Sequence, residues 1–202
     1  MSEEKQLNNP SWLARAVETV RAGEVVALPY ERLFGLAAHA FDEEAVARVA
    51  AIKGRAEYAV DSKPISVILP DMDALSKVAA DVSPLAYNLA RDYWPGPLTI
   101  IVKAVADLPL PLVSERGTIG VRIAGPSPAA DLARRSGLVL TATSANLKDA
   151  QDAISSDEVK RLQGLSMVLD GVVAGPPGST VVDATGEQLR VLREGYVNVD
   201  ET

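Results

Sequence analysis

Apolar and polar residues follow two rhythms along this chain, one helical and one alternating, and together they divide it into elements. Trp12, Val17 and Val20 fall on or near one face of a helical repeat that begins at Asn9–Pro10. A proline near the first helical position loses no hydrogen bond there, and Gly23 ends the helix. Glu24–Pro29 (EVVALP) is a short apolar run closed by proline, the mark of a buried strand. Asp42 caps a second helix in which Ala45, Val46, Val49 and Ile52 recur at helical spacing up to Lys53. Pro64–Leu69 reads as a strand, and Ser83–Pro84 opens a helix through Leu89 that Trp94–Pro97 (WPGP) breaks. Leu98–Lys103 and Thr118–Ile123 are β-branched strands; Ser127–Pro128 starts a helix that Gly137 ends, and Val139–Thr143 follows as a strand. Beyond these the pattern predicts a helix near Asp157–Leu162 and strands at Met167–Asp170, Thr180–Asp183 and Leu189–Leu192.

Strands and helices mix without strict βαβ alternation, and neighbouring strands such as the last two are expected to pair antiparallel. The expected fold is a single α/β domain, a twisted open mixed sheet with flanking helices. No linker divides it. Residues 1–9 are expected to form a flexible tail ahead of one domain at 10–202. Neither G-x-G-x-x-G nor G-x-x-x-x-G-K-[ST] occurs, so the two commonest nucleotide fingerprints are absent.

Composition narrows the chemistry. With 48% hydrophobic and 23% charged residues the chain is of ordinary globular type. It has no cysteine and one histidine, His39, which excludes disulfides, thiolate nucleophiles and multi-histidine metal centres. No apolar run is long enough to span a bilayer and the opening is polar, so the expected location is the cytoplasm with no membrane partner. A net charge of −7 argues against a general nucleic-acid coat. A cleft can still gather cations locally.

Several residues could carry chemistry. Lys53–Gly54–Arg55 sits at a helix C-terminus, where cations complement the dipole; with Lys63 the same cations could neutralise a triphosphate. Thr143–Asn146 leaves a strand and offers a hydroxyl and an amide at the sheet edge, though such residues also simply make turns. Arg122 shares a strand face with Thr118 and Gly120, and needs either an acidic neighbour or a substrate carboxylate. Pro177–Thr180 is a Gly-Ser-Thr loop suited to anions or to a plain turn, and Arg193 closes the last strand. His39 reads as a packed or surface histidine. Scattered cations and hydroxyls without a covalent nucleophile suit charge stabilisation and positioning at phosphorus.

In order, the segments VVALPYERLFGL, KGR, KPISVIL, WPGPLTIIV, GTIGVRI, ATSAN, GSTVVD and LREG run from Val25 to Gly195. The series resembles the YrdC family, the threonylcarbamoyl-adenylate synthases that begin the threonylcarbamoyladenosine modification of tRNA. The resemblance implies a twisted open sheet with a positively charged concave face. It implies a reaction of L-threonine, bicarbonate and ATP, with Mg2+ accompanying ATP. Lys53 and Arg55 would act catalytically on the ATP phosphates, with Ser144 and Asn146 as the S-x-N contacts and Lys63 as a further cation. Thr118 and Arg193 would contact the nucleotide. Arg122 would hold the threonine carboxylate and Ser179 would lie between threonine and phosphates.

The chain departs from the family pattern on the threonine side. The family reads P-T-[DE]-T where this chain has Pro29–Tyr30–Glu31–Arg32, so Tyr30 and Arg32 are expected to reach into the substrate pocket, with Arg32 as a substrate contact. The strand after Lys63–Pro64 lacks the family's histidine, the loop between Arg55 and Pro64 is longer, and Leu147–Lys148–Asp149 follows the S-x-N. The pattern suits a YciO-type paralogue with a changed acceptor. Other readings are a tRNA- or double-stranded-RNA-binding module on the basic face, and a carbamoyl-transfer domain.

Overall fold

The computed structural model describes residues 11–54, 63–147 and 150–199; the expected N-terminal tail and Arg55 lie outside them. The helices begin where their capping residues stand. Asp42 Oδ1 accepts from the Ala45 amide at 3.0 Å and starts α2 (Glu43–Ile52), which follows α1 (Ser11–Arg21). Ser83 and Ser127 each cap through the hydroxyl, opening α3 (Pro84–Tyr93) and α4 (Pro128–Ser136) with proline in the first turn. Gly137 ends α4 with φ 68°, a left-handed conformation that favours glycine. The last helix, α5 (Ser156–Val159), stops short of the expected Leu162. The amides of Arg161 and Leu162 turn back three residues, to Glu158 and Val159, and tighten the chain out of the α-helix.

Among the described residues ten strands form one mixed sheet: β1 (Val26–Pro29), β2 (Phe34–Ala37), β3 (Ser66–Ile68), β4 (Ala79–Asp81), β5 (Leu98–Ala104), β6 (Thr118–Arg122), β7 (Leu140–Ser144), β8 (Met167–Val168), β9 (Thr180–Asp183) and β10 (Arg190–Arg193). Their order is β10-β9-β5-β6-β3-β7-β2-β1-β8, with β4 also on β5. The expected antiparallel pairing of the last two strands is present, while β1–β8, β3–β6 and β5–β9 run parallel. Two strands were not anticipated. β2 is four residues of FGLA and β4 three of AAD, too short and too poor in β-branched residues to stand out.

Burial explains why one face of this sheet is free. At the β1–β2–β7 end both faces are covered. Ala16, Val17 and Val20 of α1 and Ala129, Leu132 and Ala133 of α4 pack with Val26, Leu28, Ala37 and Leu140. On the other side, Val46 and Val49 of α2 pack with Ala27 and Leu36. β1 is accordingly buried at all four positions. Farther along, Ile100, Val102, Ile119, Val121 and Val182 face the same core as α2 and α3. The alternate residues of these strands point to the opposite face. They form the floor of an open cleft. Among the described residues no helix is long and apolar enough to cross a membrane.

Candidate functional site

Strand register builds the cleft. Ile101 of β5 lies opposite Gly120 of β6 and opposite Asp183 of β9; Lys103 lies opposite Thr118, and Thr99 opposite Val181. Period-two alternation then places Thr99, Ile101 and Lys103 on one face with Thr118, Gly120 and Arg122. All of them line a cavity of about 1030 Å³. Gly120 keeps the floor open: a Cβ there would come within 2.6 Å of Ser66 Oγ and 3.2 Å of Ile101 Cδ1.

The cavity is cationic in an acidic protein. Among the described residues it is lined by seven Lys and Arg residues, Lys53, Lys63, Lys103, Arg116, Arg122, Arg190 and Arg193, and by three acids, Asp152, Asp183 and Glu194. This concentration marks a site for an anionic ligand. Arg193 is partly withdrawn from water in this cleft. Loss of surrounding water lowers its pKa, the Asp152 carboxylate opposes this, and the neighbouring Arg122 charge lowers it further.

Eight predicted residues meet here: Lys53, Lys63, Thr118, Arg122, Ser144, Asn146, Ser179 and Arg193 all line the cavity. Lys53 is nearly buried, and its Nζ donates to Ser144 O at 2.7 Å, Asn146 O at 3.0 Å and Asn146 Oδ1 at 2.7 Å. The Ser144 hydroxyl donates to the same Oδ1 at 2.7 Å, and Asn146 Nδ2 donates to Ala150 O. The lysine therefore holds the S-x-N turn in place as well as contributing charge. Lys53→Met removes this charged donor while keeping an apolar stem. We expect it to destabilise the fold by about 1–3 kcal/mol and to weaken ATP binding. Urea denaturation and calorimetry check both, and unchanged values in the two would contradict the arrangement.

At the opposite wall, Arg193 donates to Ser179 O from Nε at 3.1 Å and from Nη2 at 2.8 Å, and Nη2 also donates to Ser179 Oγ at 3.0 Å. Ser179 Oγ lies 3.0 Å from Thr99 Oγ1. Thr118 Oγ1 shares a 2.7 Å hydrogen bond with Ser114 Oγ in the turn that carries Arg116.

At the inner end one of the two partners expected for Arg122 is present. Arg122 has an acidic neighbour: its Nη1 lies 3.2 Å from Glu31 Oε2 and donates to Oε1 at 3.3 Å, and its guanidinium stands 5.6 Å from the Tyr30 ring centroid. Glu31 Oε1 also accepts from the Gly125 amide at 2.8 Å. Tyr30 forms the end wall. Its ring lies where a side chain at Gly35 would otherwise stand, and its hydroxyl donates to Thr141 O at 2.8 Å. Arg32 does not line the cavity, which corrects its expected role as a substrate contact. It donates to Pro177 O at 3.2 Å and Pro176 O at 3.3 Å. His39 is bridged to Leu140 and stands edge-on to Phe41. Glu31, Thr99, Ser66, Asp152 and Arg116 are site residues that the sequence patterns did not single out. Of these only Thr99 carries a local signal, since alternation along Leu98–Lys103 puts it on the face of Ile101 and Lys103.

Comparisons with known proteins agree with this geometry. The Sua5/YciO/YrdC family, described as "Telomere recombination", matches residues 18–195. The chain is 30% identical over 208 residues to the threonylcarbamoyl-AMP synthase of Bacillus subtilis, covering 100% of this chain and 58% of that protein. It is 35% identical over 192 residues to the threonylcarbamoyl-AMP synthase of Mus musculus, covering 91% and 66%. The crystal structure of P. abyssi Sua5 complexed with L-threonine aligns with TM-score 0.84 at 29% identity, over 93% of this chain and 55% of that one. E. coli YciO aligns with TM-score 0.81 at 27% identity, over 94% and 92%. The chain thus spans a little over half the length of the Bacillus and Pyrococcus proteins. With the family matched over most of its length, and with the open mixed sheet and cationic cleft in place, this chain belongs to the Sua5/YciO/YrdC family.

Proposed function

We propose that the protein joins L-threonine, bicarbonate and ATP into threonylcarbamoyl-adenylate, releasing pyrophosphate and water, as a nucleotidyltransferase. The observation that carries this reading is the cleft. Lys53, Ser144 and Asn146 stand as one bonded unit on one wall, Ser179 and Arg193 as another, and Arg122 lies at the inner end. In this reading the threonine amine adds to the bicarbonate carbon and water leaves, giving a carbamate. A carbamate oxygen then attacks the α-phosphorus of ATP, and the bond from that phosphorus to the oxygen bridging to the β-phosphate breaks. The cations stabilise charge gathering on the departing pyrophosphate. Among the described residues only Glu31 takes a hydrogen bond from Arg122, which leaves the other guanidinium donors for a substrate carboxylate.

Magnesium would enter as the ion carried by ATP, held by one or two carboxylates together with phosphate oxygens; Asp152, which lines the cleft and accepts from Asn146 Nδ2 at 3.3 Å, is a carboxylate that would hold it.

The test is pyrophosphate release from ATP and bicarbonate with each amino acid in turn. The expected result is release that requires both threonine and bicarbonate. Release indifferent to the amino acid, or none with any, would overturn the reading. Tyr30 at the end wall favours a second reading, a YciO-type enzyme with another acceptor. On this account threonine turnover falls below about 1 per second, the lower end of ordinary enzyme rates, and a different amino acid exceeds it.

A further inference from the structure

Ser179 reaches the cleft from a segment that has no regular structure of its own between Val173 and Ser179. Pro176 and Pro177 lack amide hydrogens, so this stretch of the loop can be held only through its carbonyls. Arg32 takes both. Its Nε donates to Pro177 O at 3.2 Å and its Nη2 to Pro176 O at 3.3 Å, while its own carbonyl accepts from the Gly175 amide at 2.9 Å. The Arg32 guanidinium stands 4.7 Å from the ring centroid of Tyr196. The Tyr196 amide in turn donates to Gly178 O at 2.9 Å. Next to it, Gly195 passes so close that an added Cβ would strike Ser179 C and Thr180 N. Two distant segments therefore close on the loop, while Arg193, which lines the cleft, grips Ser179.

We propose that Arg32 is a positioning residue: with Tyr196 it clasps the Pro176–Ser179 loop and so holds the Ser179 hydroxyl in register with Thr99 and Arg193. The fork of the guanidinium suits two adjacent carbonyls, and its flat face stacks on a ring; a lysine ammonium can do neither in the same geometry. The inference rests on the cleft being the active site.

The test combines amide hydrogen exchange with kinetics of pyrophosphate release. In Arg32→Ala the Gly175 and Tyr196 amides are expected to exchange about tenfold or more faster, while the strands keep their protection. The kcat is expected to fall about tenfold to a hundredfold, as for a modest misplacement of a reacting group, with KM for ATP unchanged. Arg32→Lys should not rescue, Tyr196→Phe should match the parent, and Tyr196→Ala should match Arg32→Ala. Unchanged exchange at Gly175 and Tyr196 in Arg32→Ala would overturn the clasp, as would a fall in protection spread evenly over the sheet. Faster loop exchange with an unaltered kcat would overturn its role in positioning. A parent protein inactive with every amino acid would sink the proposed reaction, and the exchange measurements would still decide whether the clasp exists.

Discussion

Glu31→Ala is expected to destabilise the protein by about 3–5 kcal/mol, the usual cost of leaving one member of a buried ion pair without its partner. The Arg122 side chain is 9% exposed and that of Glu31 16%, with 3.2 Å between their charges. Water cannot readily take over from the lost carboxylate, and the Gly125 amide loses its acceptor in the same change. Both effects act in one direction. Glu31→Gln, which keeps an acceptor for Gly125 but removes the charge, should cost less than Glu31→Ala. Adding Arg122→Met to Glu31→Ala should return much of the lost stability, because two apolar groups can replace a buried pair at little cost. Urea denaturation of the parent, Glu31→Ala, Arg122→Met and the double variant forms a double-mutant cycle. A single-variant loss below about 1 kcal/mol would mean that the pair behaves as a solvated surface contact. The pair also bears on activity, since Glu31 orients the guanidinium that the proposed reaction turns toward a substrate carboxylate. The double variant should therefore be stable and inactive.

What could be read from the sequence divides along a physical line between local and distant contacts. Asp42, Ser83 and Ser127 accept from amides, and Gly137 donates to a carbonyl, within a few residues of themselves. Their chemistry marks helix ends in any context. The strands of the cleft floor were visible as β-branched runs, and Thr118 and Arg122 could be put on one face by alternation. The convergence of Lys53, Ser144, Asn146, Ser179 and Arg193 came from the family resemblance, because no local pattern brings residues so far apart together. Partner choice was harder still. Glu31 is one acid among 27, and nothing near it in sequence says that it meets Arg122. Arg32 looked like a charge aimed at substrate, yet its partners are two proline carbonyls far along the chain. A motif table cannot register such acceptors, since every residue has one.

Tyr30 was expected to reach into the substrate pocket together with Arg32. The structure separates the two residues and changes the expectation for each. Arg32→Thr would release the Ser179 loop. Tyr30 is 6% exposed and belongs to the core formed with α1 and α4, so it is part of the frame between that core and the cleft. Its ring covers Gly35 and faces the Arg122 guanidinium, and its hydroxyl donates to Thr141 O; burial holds the phenol pKa well above its ordinary value, so the group remains a donor. Tyr30→Thr removes the ring, opens a cavity beside Gly35 and leaves the Thr141 carbonyl without this donor. Large-to-small changes at such a site cost about 3–5 kcal/mol, and we expect a loss in that range. Threonine turnover should not rise, because the Glu31–Arg122 pair loses the wall against which it is set. The measurements are the urea midpoint and the rate of threonine-dependent pyrophosphate release. A variant within about 1 kcal/mol of the parent that turns over threonine faster would show that Tyr30 is a plug in the pocket and not a wall of it.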